Sequence, residues 1–168
     1  MGLDMYLYRR EYVGGWDWSS ALERQDERKM YDTILEYTGA KRCADAPFAN
    51  IEICVGYWRK ANAIHGWFVN KLANGVDECQ SIYVTKEDLL NLREACESVL
   101  RVPANVGGRL EDTASEVGLN PTRGFFFGSY DMDEWYMRDL EHTVEMIDSV
   151  LEDVPDAGWV DFVYRASW

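Results

Sequence analysis

The sequence predicts an α+β fold, with about four helices packed on one mostly antiparallel or mixed sheet of about five strands in a single domain over residues 1–168. Three observations carry this expectation. Short segments that alternate apolar and polar residues are interleaved with longer segments whose apolar residues recur every three or four positions. The alternating segments lack the long continuous apolar runs of a strand buried on both faces, which makes a doubly wound parallel sheet the weaker alternative. No internal repeat and no linker of biased composition divides the chain.

From Leu3 to Tyr12, Leu3, Met5 and Leu7 point one way and Asp4, Tyr6 and Tyr8 the other, as in a strand with one apolar face. Gly14-Gly15 ends it, and Trp16 and Trp18 fall in a turn-rich connection. Ser19 or Ser20 suits the N-cap of a helix reaching about Tyr37, with Met30, Ile34 and Tyr37 at helical spacing and Gly39 as its stop. After a loop containing Pro47, Ile51, Ile53 and Val55 alternate with Glu52 and Cys54 as a second strand. Gly56 is expected to break it and open a second helix ending at Asn74-Gly75. Along that helix Ala61, Ile64, Phe68 and Leu72 form a core line, bordered by Trp58, Asn62, His65 and Val69.

Cys79 to Val84 reads as a short strand. Thr85-Lys86-Glu87-Asp88 resembles a capping box and opens a helix with Leu89, Leu92, Cys96 and Val99 on one face. Ala104 to Gly124 carries Gly107, Gly108, Gly118, Pro121 and Gly124, so regular structure is not expected there. Gly124 to Ser129 reads as a brief strand. Ser129 or Asp131 then caps a helix to about Asp153, with Tyr136, Leu140, Val144, Ile147 and Leu151 as its buried stripe. Trp159 to Trp168 alternates again as a terminal strand.

The hydrophobic fraction of 47%, with 7 Trp and 10 Tyr, argues for a packed core and against disorder. No apolar run approaches the ~20 residues needed to span a bilayer. The start lacks the basic and apolar regions of a signal peptide, and Leu7 stands where a myristoylation motif has Ser or Thr. The expectation is a cytoplasmic protein. Cys43, Cys54, Cys79 and Cys96 show no Cys-x-x-Cys spacing, so buried free thiols are expected in place of zinc or disulfides. A net charge of −13 disfavours binding to duplex nucleic acid. Ten acidic residues crowd positions 129–157 against one base, Arg138.

No phosphate loop, dinucleotide fingerprint, zinc-protease motif or nucleophile elbow occurs, and no cofactor is implied. Candidate chemistry concentrates in Tyr57 to His65. Arg59 and Lys60 are expected in the first turn of their helix, where cations oppose the macrodipole at a cost of roughly 0.3–1 kcal/mol. A bound anion would offset that cost by taking the free N–H groups and both cations. Tyr57 and Trp58 would stack on a ring, with Asn62 and His65 beside them. Ser129, Asp131, Glu134 and Trp135 would complete the site, provided both helix starts lie at one edge of the sheet. Against this stands the plain structural alternative: core aromatics, an ion-paired Arg59, and acids that simply favour a helix N-terminus.

His65 is one of two histidines and is the candidate acid/base of an enzymatic alternative. His142, among Asp139, Glu141 and Glu145, reads as a surface residue. A metal site built from both histidines with Asp131 or Glu134 lacks supporting spacing. The row Glu141, Glu145, Asp148 and Glu152 is either a solubilising face or a surface for a basic partner.

The opening Met-Gly-Leu-Asp-Met-Tyr-Leu, the block Tyr57-Trp58-Arg59-Lys60-Ala61-Asn62-Ala63-Ile64-His65, and the block from Gly124 through Asp133-Glu134-Trp135-Tyr136 resemble a family of small bacteriophage and prophage proteins. The likeness extends to the terminal strand. It implies a phage accessory protein acting in the bacterial cytoplasm, and carries over no catalytic residue. The leading expectation is therefore antagonism of a bacterial defence system by non-catalytic binding. Either the acidic row engages a CRISPR-type effector or other basic partner, or the Tyr57–His65 segment sequesters a nucleotide-like signal. The alternatives are a small enzyme acting on a nucleotide or phosphorylated metabolite through His65, and a structural accessory without a pocket. Exposed aromatics leave self-association open.

Overall fold

The computed structural model describes residues 2–16, 22–103, 108–124, 126–152, 154 and 160–168. Their order is β1 (Asp4–Gly14), α1 (Leu22–Thr38), β2 (Phe48–Arg59), α2 (Asn62–Leu72), β3 (Ile82–Val84), α3 (Lys86–Leu100), α4 (Arg109–Val117), α5 (Glu134–Glu152) and β4 (Val160–Ser167). The strands form one antiparallel sheet in the order β2-β1-β4-β3. This is the expected α+β class, with four strands and five helices among the described residues in place of about five and four.

The two-residue period of β1 places Leu3, Met5 and Leu7 on the covered face of the sheet, all fully buried. Phe162 and Tyr164 of β4 and Ile82 and Val84 of β3 continue that layer. Against it pack Ile64 and Phe68 of α2, Leu89, Leu92 and Val99 of α3, and Leu140 and Ile147 of α5. Phe68 stacks on Tyr164 at 4.1 Å between ring centroids. The other face is tyrosine-rich and carries a set of polar pairs. Tyr57 Oη donates to Asp4 at 2.5 Å, Tyr83 Oη donates to Asp161 at 2.6 Å, and Glu52 accepts from both Arg10 and Arg165.

The capping box is formed: Thr85 Oγ1 accepts from Asp88 N, and Asp88 Oδ2 accepts from Thr85 N. Other boundaries move, each for a local reason. Gly56 does not end β2. It sits opposite Leu7 beside a register shift, where a Cβ would lie 2.3 Å from Met146 Sδ, so its lack of a side chain admits α5 to the sheet. In the segment expected to be irregular, α4 forms because Gly108 (φ 82°) and Gly118 (φ 80°) stand at its ends, as caps and not as interior breakers. The brief strand from Gly124 to Ser129 is absent among the described residues, where Phe126 takes φ 63° and the chain turns. Helix α5 is capped by Asp133, whose Oδ1 accepts from Trp135 N and Tyr136 N, and not by Ser129 or Asp131. Along α5, Tyr136, Leu140 and Ile147 are buried as expected, while Val144 and Leu151 are half-buried.

Helix α1 buries Tyr31, while Met30 and Tyr37 of the expected stripe are exposed. Its charged turns leave too few apolar positions to define a face, and a ring one residue away fills the contact with Gly15. Trp18, Ser19 and Ser20 lie outside the described residues. All four cysteines are free, but only Cys96 is buried; burial pushes its thiol up to about 12, which leaves it inert. Among the described residues no helix is long and apolar enough to cross a membrane.

Candidate functional site

A cleft of about 420 Å³ opens where β2 hands over to α2, opposite the turn that precedes α5. Its size falls in the range of small-molecule sites. One wall is the run Arg59 to Ile64. The other is built from Gly128, Ser129, Asp131, Asp133, Trp135, Tyr136, Asp139 and Leu140, with Pro121 at its margin. The starts of α2 and α5 thus lie at one edge of the molecule.

The positions of Arg59 and Lys60 correct the sequence expectation. β2 continues to Arg59, whose backbone is in register with Asp4 of β1, so neither cation lies in a helical turn and the macrodipole does not act on them as expected. Lys60 forms the corner. It adopts φ 61°, its N–H donates to Leu3 O at 2.8 Å, and its carbonyl accepts from Asn62 N at 2.8 Å. Neither side chain forms a hydrogen bond or ion pair with any described residue. That is notable in a chain of net charge −13 where Arg10, Arg93, Arg101, Arg138 and Arg165 all hold carboxylates.

Asn62 lines the cleft, but its amide is committed to the frame. It is 6% exposed, and Nδ2 donates to Phe127 O at 3.2 Å and Ser129 O at 2.7 Å while Oδ1 accepts from Thr122 N at 3.0 Å. Ser129 and Asp131 are joined in a short turn, Ser129 Oγ donating to Asp131 Oδ2 at 3.3 Å and accepting from its N–H at 3.1 Å. Trp135 is 69% exposed, and the Arg138 guanidinium covers one face of its ring at 5.0 Å.

Four expected ligand contacts stand elsewhere. Tyr57 belongs to β2 and faces the far side of the sheet, bonded to Asp4. Trp58 is core, its Nε1 donating to Thr143 Oγ1 at 2.9 Å. Strand alternation, not a helical period, sends these neighbours to opposite faces. Glu134 is outside the lining and pairs with Arg138 at 2.5 Å. His65 is 1% exposed; its Nδ1 lies 2.7 Å from Tyr164 Oη and its Nε2 3.0 Å from Asp77 Oδ2. Burial keeps the Tyr164 phenol protonated, and the Asp77 carboxylate accepts from Nε2–H. Both ring nitrogens of His65 are thereby used.

Asp139 is the residue that sequence reasoning passed over. It lies one helical turn beyond Trp135, and burial pushes its carboxyl up to about 6, with Asp133 adding to the rise and His142 opposing it. Its carboxylate makes no hydrogen bond with a described residue, whereas Asp133 caps α5 and Asp131 is held by Ser129. The signal was present in the four-residue spacing from Trp135, but a stretch with ten acids hides any one of them.

His142 is exposed and donates from Nε2 to Tyr57 O at 3.1 Å. Among the described residues no three metal-ligating side chains converge. In the acidic row, Glu141, Glu145 and Glu152 are exposed and form no ion pair with a described residue, while Asp148 is held by Arg93 at 2.5 Å. Comparison with family models, curated proteins and solved structures finds no match to this chain.

Proposed function

We propose that this chain is a non-catalytic binder of a small nucleotide-like ligand, held in the cleft between Arg59–Ile64 and Gly128–Leu140. One observation carries the proposal: two adjacent cations, neither hydrogen-bonded nor ion-paired to a described residue, line a cleft that also presents an indole with one face left uncovered by the described residues. An anion on Arg59 and Lys60 gains charge-assisted hydrogen bonds that the acidic protein leaves unused. A ring on Trp135 gains stacking worth about 1–3 kcal/mol. In the phage setting that the resemblance implies, such a binder sequesters a nucleotide signal of host defence. The enzymatic alternative through His65 has no support in the geometry, since that ring is enclosed and lies outside the cleft lining.

A second reading rests on Glu141, Glu145 and Glu152, which are exposed on α5, form no ion pair with a described residue and suit a basic partner protein. One experiment separates the two. The protein is purified from bacterial lysate and denatured, and the released small molecules are identified by mass spectrometry. An intact nucleotide from wild type, absent from Arg59→Ala/Lys60→Ala, is the expected result. A chemically altered product overturns the non-catalytic reading. No released nucleotide, together with loss of partner binding on charge reversal at Glu141 and Glu145, transfers the function to α5.

A further inference from the structure

We propose that the cleft selects its ligand by the edge of the ring: the Asp139 carboxylate accepts from the paired N–H groups of a guanine-type base stacked on Trp135, while the ligand's phosphate lies on Arg59 and Lys60. The inference rests on the nucleotide reading above and adds the class of base.

The three aspartates of the cleft differ in what they already hold. Asp133 is used as the cap of α5 and Asp131 is tied to Ser129. Asp139 alone of the three aspartates has both oxygens free of hydrogen bonds to described residues. A partly buried carboxylate in that state is costly, and a ligand with two neighbouring donors is what would satisfy it. Its position on the helix fits that use. Asp139 follows Trp135 by four residues, so both project from one side of α5. Arg138, itself held by Glu134, covers the other face of the indole and fixes the ring as a platform.

The edge chemistry then discriminates. Guanine presents N1–H and the exocyclic amino group side by side, matching the two oxygens of a carboxylate. Hypoxanthine keeps the first donor and lacks the second. Adenine places the N1 lone pair beside its amino group, so a carboxylate meets one donor and one repelling acceptor. The cations come from the corner between β2 and α2 and the carboxylate from α5, as suits a ligand with an anionic end and a donor edge. The charged groups facing Asp139 are Asp133 from the preceding turn and His142 from its own helix, with Asp131, Arg59 and Lys60 further round the cleft.

The test is calorimetric titration of the full chain with GMP, IMP and AMP at pH 7.5 and pH 5. At pH 7.5 the expected order is GMP, then IMP, then AMP, with GMP about tenfold or more tighter than AMP. At pH 5 the GMP advantage shrinks, because a carboxyl that protonates near 6 no longer accepts twice. Asp139→Asn presents one acceptor and one donor, and is expected to erase or invert the preference toward AMP and to remove its pH dependence. Trp135→Ala weakens all three alike. Equal binding of GMP and AMP by wild type, or an unchanged ratio in Asp139→Asn, overturns the base assignment. If Arg59→Ala/Lys60→Ala then still abolishes binding, the nucleotide reading survives. Absence of binding by any of the three nucleotides overturns both.

Discussion

Asn62 donates from Nδ2 to the carbonyl of Ser129 at 2.7 Å, across a gap of 67 residues in the chain. Through this bond and its companions to Phe127 and Thr122, the first residue of α2 holds the two loops that shape the opposite wall. Asn62→Ala leaves a buried N–H and two carbonyls without partners, and the expected loss of stability is about 2–3 kcal/mol. Urea denaturation measures it. Asn62→Asp should be no better, because a carboxylate cannot donate to either carbonyl. If Asn62→Ala costs under half a kilocalorie, water replaces the amide and the frame is looser than described.

The class of fold was legible because it follows from period alone. Leu3, Met5 and Leu7 in β1 and Phe162 and Tyr164 in β4 show their buried face directly in the sequence. The handover from β2 to α2 was not, because Tyr57 to His65 fits both a helical line and a strand followed by a helix. What separates them is Lys60 at φ 61°, a conformation that a lysine does not announce. For the same reason the cleft was half legible. Arg59, Lys60, Asn62, Ser129, Asp131 and Trp135 do come together, while Tyr57, Trp58, Glu134 and His65 are drawn off by the sheet, the core, Arg138 and Tyr164.

Asp139 gives a stability prediction with a definite sign. Its carboxyl is raised from 3.8 to about 6 in the folded chain, so the folded state binds a proton more tightly than the unfolded state. The native protein therefore loses stability as pH rises from about 4 to 6. Asp139→Asn removes that loss. The variant is expected to exceed wild type by about 1 kcal/mol at pH 7.5, allowing for solvent screening, or about 2–4 °C in Tm. The gap should close by pH 4. A difference that is constant with pH would assign the effect to packing.

The pair His65 and Tyr164 predicts structure without ligand dependence. Tyr164→Phe removes the hydroxyl that meets Nδ1 inside the core, leaving the ring otherwise in place. The expected cost is about 1–3 kcal/mol by denaturant titration, with nucleotide affinity unchanged within twofold. Asp77→Asn tests the other end: the amide oxygen still accepts from Nε2–H, so a smaller loss is expected. Loss of affinity in Tyr164→Phe at full stability would bring His65 back as a functional group.

Lys60 predicts a divergence between stability and binding. Its left-handed backbone costs about 1 kcal/mol or more in a residue with a side chain, and glycine takes the same conformation without strain. The lysine stem also lies against Gly2 and Gly128, so its removal forfeits some packing and the unfolded chain gains freedom. These opposing effects nearly cancel. Lys60→Gly is therefore expected to keep its stability within about 1 kcal/mol of wild type while losing tenfold or more in nucleotide affinity, since one of two charge-assisted contacts is gone. Lys60→Arg should retain the charge and most of the affinity. A large fall in stability with unchanged binding would make the lysine a spacer between β2 and α2, and would leave Arg59 as the cation that carries the site.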